Sequence, residues 1–417
     1  MLLFVRQEDS CGVPVFYQQL PEIVKSSSIL LSVFTGSADD TALGVPGVYH
    51  WFEHVPFRGT KKFPDGYGAV KGPISRVSGN VGASTNRLST KYYATLPTRY
   101  LGLAVEVVTD LVAAPLLLEE GLLAEREIIK HEIRERTSSV DGYMAHVLPE
   151  MLWGNHSLAK STLGTAETLD SVDAHFLRHA RTLGYDKSRM AYFVSTSLSI
   201  QEVLKMLDGV TNTLPQSNIS ARDRAASYGP LAWREGSRLE FEIPFEPSVV
   251  RRLYKIPCIA SLYDQAKYAF LWRLFCQGSS SSPLGSAVRD KVQLAYGASV
   301  QSFFSRDGGY WGFSAKTSAA KIEAVEDAFT VLMENPILSS RKWYDDVREA
   351  LVCNGEMETI DSGKFVDYGA YNAALLGYPA QYHEVVGAAL QFSYDEVVGF
   401  IEKLREEEPF IVIAKGK

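Results

Sequence analysis

Two histidines bracket a glutamate in the run His50-Trp51-Phe52-Glu53-His54. The segment follows the breaks at Gly44 and Pro46 and reads as a helix. Helical positions i and i+4 share a face, so both imidazoles can reach one cation, with Glu53 beside them. That pattern suits Zn2+, which lowers the pKa of a bound water toward neutrality and polarises a carbonyl while a free carboxylate, Glu53, takes the proton. Amide hydrolysis then needs no covalent enzyme intermediate. The chain has 8 histidines, so two at this spacing around a glutamate stand out against the alternative of a polar helix face beside the core. Zinc needs a third protein ligand, and no other His or Cys lies close in sequence to supply it.

A second charged stretch, AEREIIKHEIRE, begins at Ala124 and reads as a long helix. Glu125 and Glu132 are two turns apart, on one face and able to look into one site. Glu127 falls about 140° around the helix from Glu132, and His131 is one position off that face. Spacing alone leaves open that Glu132 is one more charge on a solvated acidic helix.

The order H-x-x-E-H is the reverse of the commoner zinc motif and matches the inverzincin pattern. With it the chain resembles the pitrilysin or insulinase family of metallopeptidases, in particular the short two-domain kind related to mitochondrial processing peptidase and its bacterial counterparts. The resemblance extends through TGSADD, HWFEHVPFRGTKKFP, AEREIIKHEIRE, LWGNHSLAKSTLGTAETL and LGSAVRDKVQLAYGASV. It implies one zinc per chain held by His50, His54 and Glu132, with Glu53 acting on water and Glu125 orienting a ligand or adding negative charge behind the metal.

Small, β-prone residues around Ala83, Ser84 and Thr85 suit an exposed edge strand, which can pair with an extended peptide through backbone hydrogen bonds. The resemblance assigns that role to this segment and makes Arg289 and Tyr296 contacts to substrate carbonyls. Relatives usually carry asparagine where this chain has Gly82, so a polar contact to substrate backbone is expected to be missing.

At 417 residues the chain exceeds what one core usually serves. Its halves repeat one plan: an aromatic strand, a turn, an amphipathic helix, Pro115 or Pro336, and a second helix. The expected fold is α+β, with two similar α/β domains, each a mainly antiparallel sheet packed with helices, arranged as two halves of a clam. Residues 1–214 form the catalytic domain, 215–236 a polar linker, and 237–417 a degenerate copy that contributes to substrate binding. Counted from the two prolines, the position matching Glu132 in the second half is Cys353, and YDQAKYAFLWRLF holds no histidine.

Four scattered cysteines read as reduced thiols. With no export signal, no apolar run long enough to span a bilayer and a net charge of -7, neither membrane nor nucleic acid is expected, and a cytoplasmic location is the default. The function that follows is a zinc endopeptidase acting on unfolded peptides or presequences in an enclosed chamber, as a homodimer or a heterodimer with a related chain. The alternative is a non-catalytic partner subunit, which has no physical need for an intact H-x-x-E-H.

Overall fold

The computed structural model describes residues 4–216, 226–278, 281–290, 297–357 and 361–417. The first sheet holds β1 (Val5–Glu8), β2 (Pro14–Gln19), β3 (Ser26–Val33), β4 (Asn80–Thr85), β5 (Thr90–Pro97) and β6 (Met190–Thr196), in the order β1-β2-β6-β3-β5-β4. The second holds β7 (Arg238–Ile243), β8 (Ser248–Ile256), β9 (Gly297–Phe303), β10 (Gly309–Thr317) and β11 (Phe410–Gly416), in the order β7-β11-β8-β10-β9. Each sheet has a single parallel pair, β2 with β6 and β7 with β11; all other pairs are antiparallel. The order from β2 to β4 is repeated strand for strand from β7 to β9. The expected α+β fold with two like, mainly antiparallel sheets is what the chain forms.

Seven helices matter for the site: α1 (Val48–His54), α2 (Leu101–Ala113), α3 (Glu119–Thr137), α4 (Leu262–Cys276), α5 (Ile322–Glu334), α6 (Arg341–Glu356) and α7 (Ser362–Leu376). The repeated helix, proline, helix plan is α2, Pro115, α3 in one half and α5, Pro336, α6 in the other. Helix α2 buries Leu101, Ala104, Val105, Val108, Leu111 and Val112, a stripe at helical spacing.

Strands β3 and β6 are buried on both faces, and each carries a short consecutive apolar run, Ile29–Leu31 and Met190–Val194. Ile29, Leu31 and Val33 point into the large core that also takes Trp51 and Phe52 of α1. Leu30 points the other way, to a smaller core with Phe16, Phe193, Val366, Ala370 and Ala373. Burial of each such Leu or Phe is worth about 1.5–3 kcal/mol, so both layers weigh in the fold.

Helix α7 closes that second face. Its start is capped by Asp361, whose carboxylate accepts from the backbone N–H groups of Gly363 (2.9 Å) and Lys364 (3.1 Å). Ser362 and Ser28 share a hydroxyl hydrogen bond of 2.8 Å, and Lys91 is ion-paired with Asp367.

Contacts group the chain into two units. The first comprises Met1–Arg136, His146–Tyr228 and Ile360–Gln381; the second comprises Thr137–Ala145, Gly229–Thr359 and Tyr382–Lys417. Helix α7 thus belongs to the first unit although it lies within the 237–417 stretch of the chain. Residues 217–225 of the expected linker lie outside the described residues.

Candidate metal centre

Helix α1 is short, and its position is set by what holds its ends and sides. Gly47 precedes it at φ 90°, where a Cβ would meet the backbone of Gly164 at 2.7 Å, so only glycine fits. The Asp40 carboxylate accepts from Gly47 N–H (2.7 Å) and Tyr49 N–H (3.1 Å), satisfying donors that the first helical turn leaves free. Burial holds the Asp40 pKa well above the usual carboxylate range despite these bonds. Trp51 and Phe52 are fully buried, and the Tyr49 hydroxyl donates to Ala180 O at 3.1 Å. One face of α1 is therefore fixed in the core, and His50, Glu53 and His54 are presented together.

Asp40→Ala leaves buried N–H groups without an acceptor, and a loss of about 1–3 kcal/mol in urea unfolding is expected, with weaker metal binding. Unchanged stability would show that α1 does not depend on this cap.

Helix α3 supplies the remaining carboxylates. It buries Leu122, Glu125 and Ile129, and the stripe runs on to Glu132. Glu127 is exposed and pairs with Lys130 at 3.4 Å, and His131 is exposed, so neither faces the histidines. Glu132 Oε2 lies 3.5 Å from His50 Nε2 and 3.6 Å from His54 Nε2. Its other oxygen is 3.5 Å from the Arg136 guanidinium.

One ligand atom from each of His50, His54 and Glu132 lies within 4.8 Å of the other two, and no other such cluster occurs among the described residues. Tetrahedral zinc with bonds of about 2.0–2.1 Å sets its ligand atoms roughly 3.3 Å apart, close to the two measured separations. Two imidazole nitrogens and one carboxylate form a donor set that fits zinc.

The surroundings tune these groups. His54 Nδ1 is 3.1 Å from Glu125 Oε2, and Arg58 Nε donates to the other Glu125 oxygen. With Nδ1–H donated to Glu125, the lone pair of His54 Nε2 is directed at the cluster. Burial works against a charge on His54, but the Glu125 hydrogen bond and the charges of Glu53, Glu125 and Glu132 outweigh it and raise its pKa. A field that attracts a proton there attracts a divalent cation more strongly.

Burial likewise works to raise Glu125, yet His54 and Arg58 hold it below its ordinary value. His50, by contrast, is driven down to about 3 by burial, aided by the charges of His54 and Arg136, and is the neutral ring that a metal requires. Truncating Glu125 to alanine is expected to weaken zinc binding about 10–100-fold by freeing the His54 ring, measured by competition with a chromogenic chelator. An unaltered affinity would remove Glu125 from this arrangement.

Glu53 is buried, and burial pushes it up to about 6, although the nearby His54 charge and hydrogen bonds from Thr85 oppose the shift. Its Oε2 has no hydrogen-bond partner among the described residues. A carboxylate atom that is buried, unsatisfied and beside the His50/His54/Glu132 cluster is suited to receive a proton from water.

Ala83, Ser84 and Thr85 lie on β4, at the edge of the first sheet, where β4 pairs with β5 on one side. All three are half-buried. Tyr296 lies outside the described residues, as does the side chain of Arg289, whose backbone belongs to a turn of helix at Ser286–Asp290.

Residue reading missed three contributors. Arg58 lies one turn beyond His54, a spacing that could have flagged it. Asp40 sits in an acidic pair ahead of α1, a recognisable capping signal. The Thr85 contact to Glu53 joins β4 to α1, and no local pattern announces it. In the second half, α4 carries no histidine, and Cys353 on α6 is exposed, so the counterpart positions hold no such cluster among the described residues.

Comparison with known proteins shows which family the chain resembles. The model described as "Insulinase (Peptidase family M16)" matches residues 17–166, and "Peptidase M16 inactive domain" matches residues 172–335. An uncharacterized zinc protease of Streptomyces coelicolor is 26% identical over 322 residues, covering 75% of this chain and 68% of its own. The uncharacterized zinc protease YmxG of Bacillus subtilis is 24% identical over 408 residues, 95% of this chain and 94% of its own. The crystal structure of a peptidase M16 inactive domain from Pseudomonas fluorescens superposes with a TM-score of 0.86 at 16% identity, covering 99% of this chain and 98% of that one, a likeness of fold. The cluster on α1 and α3 falls inside the insulinase match, and α4 and α5 of the second half fall inside the inactive-domain match: the chain belongs to the insulinase family of peptidases, family M16.

Proposed function

We propose that this chain is a zinc metalloendopeptidase that hydrolyses unfolded peptides, with His50, His54 and Glu132 holding the metal and Glu53 as the general base. The observation that carries this reading is the convergence of two imidazole nitrogens and Glu132 Oε2 beside the buried, unsatisfied oxygen of Glu53. Zinc, when bound, would supply charge to polarise a peptide carbonyl and acidify water. Glu53 accepts a proton at Oε2 and can return it to the leaving amine, since a carboxylate with a pKa near 6 works in both directions close to neutral pH. Glu125 and Arg58 hold the His54 ring while this happens.

Substrate enters this reading through β4. An extended backbone can add to that edge and be held by main-chain hydrogen bonds, which favours unfolded segments over folded domains and demands little sequence specificity. Residues 1–214 then act as the catalytic part and 237–417 as the part that contributes Arg289 and Tyr296. Assembly with a second copy or with a related chain belongs to the same reading and is checked by the mass of the particle in solution.

The decisive experiment incubates the zinc-loaded chain with a mixture of unstructured peptides and reads the products by mass spectrometry. Internal cleavage that stops with a chelator and returns with zinc is the expected result. A zinc-loaded chain that cuts nothing, alone or with a related chain added, would instead make it a non-catalytic subunit.

A further inference from the structure

Position 82 of the edge strand has no side chain, and the structure shows what takes its space. In the antiparallel register Gly82 lies opposite Tyr93 of β5. A Cβ built on Gly82 would stand 2.8 Å from the Tyr93 hydroxyl oxygen, 2.9 Å from Cζ and 3.2 Å from Cε2. The phenol therefore leans across β4 and brings its hydroxyl over the backbone of the edge strand. Any larger residue at 82 would have to push the ring away, because carbon atoms do not approach closer than about 3.4 Å without strain.

The ring is half-buried, and its hydroxyl has no hydrogen-bond partner among the described residues. The hydroxyl is not closed off from solvent, so it is accessible to a ligand at the candidate binding edge. Burial raises the Tyr93 pKa, with the charges of Glu53 and Asp367 adding to it, so it is a protonated donor at neutral pH and lies within electrostatic reach of Glu53. Thr85, three residues along β4, lies close enough to Glu53 to lower its pKa. Tyr93 lies opposite Leu30 in the sheet and packs with it on the α7 face, so a peptide laid along β4 would meet the hydroxyl on that face, and carbonyls are the acceptors it would offer.

We propose that Tyr93 is a substrate-binding residue whose hydroxyl donates to a backbone carbonyl of a peptide paired with β4, and that Gly82 is the residue that allows it. This rests on the endopeptidase reading and adds to it a donor from the strand next to the edge. The contact is to backbone, so it contributes affinity for extended peptides of any sequence.

The test uses the zinc-loaded full chain. Affinity for a fluorescent unstructured peptide is read by anisotropy on Glu53→Gln, where turnover is blocked, and steady-state kinetics are read on the otherwise unaltered chain. Tyr93→Phe keeps the ring and removes only the hydroxyl; it is expected to weaken peptide binding and raise KM by about tenfold, with kcat changed less and zinc content unaltered. Gly82→Ala, which displaces the ring, is expected to do the same.

In a Tyr93→Ala background, where the space is vacated, Gly82→Asn supplies a new donor and is expected to recover affinity lost in Tyr93→Ala alone. That recovery could not come from a purely structural role for the ring. Peptide binding and KM that are the same in Tyr93→Phe as in the parent overturn the assignment of Tyr93 while leaving the endopeptidase reading intact. A zinc-loaded parent that neither binds nor cuts peptide overturns both.

Discussion

Glu53→Gln is expected to retain zinc at about one per chain and to lose peptide hydrolysis by roughly 10³-fold or more, the range seen when a general base is removed from a hydrolytic site. Glutamine keeps the volume and an acceptor oxygen for Thr85, so the core around α1 need not move. What it cannot do is accept a proton. Because burial disfavours a charge at this position, the metal-free variant is expected to melt no lower than the parent. Metal analysis, a melting curve and a peptide assay on one preparation separate the outcomes. A variant that holds zinc and still cleaves at the parental rate would remove Glu53 from the chemistry, and one that loses zinc would place Glu53 among the ligands.

The second large effect is expected from Glu132→Ala. With His50 and His54 alone, two ligands on one short helix cannot close a tetrahedral zinc site, and both zinc occupancy and hydrolysis should fall to background. The loss should also be visible without any substrate. Zinc at 100 times its dissociation constant stabilises a protein that binds it only when folded by about 2.7 kcal/mol, which for domains of this size corresponds to roughly 5–10 °C in Tm. The metal-stripped parent should therefore gain that shift on adding zinc, and Glu132→Ala should gain little. A variant that still binds zinc with parental affinity would mean that another group is the third ligand. Within the described residues no other His, Cys, Asp or Glu completes such a cluster with His50 and His54.

The parts of this site that lie within one helix were legible in the residues. His50, Glu53 and His54 owe their relation to 3.6 residues per turn, and Glu125 and Glu132 to two turns of another helix, so both sets could be placed without knowing the fold. The repeated strand and helix plan was equally local, because apolar periodicity marks each element whatever it packs against. Even Gly82 could be picked out, but only as a missing side chain.

What residue order did not contain was distance between elements. Glu132 rather than Glu127 or His131 meets the imidazoles because Leu122 and Ile129 face the core and bring their own stripe of α3 toward α1. The phenol of Tyr93 fills the space at Gly82 because β4 and β5 pair in one register out of several conceivable ones. Helix α7 covers the first sheet although it lies in the other half of the chain.

The sequence by itself therefore determined which groups share a face, and with them the class of chemistry. Only the tertiary structure decided which faces meet, since that depends on how two cores and a sheet register settle together and not on the rise of any one helix or strand.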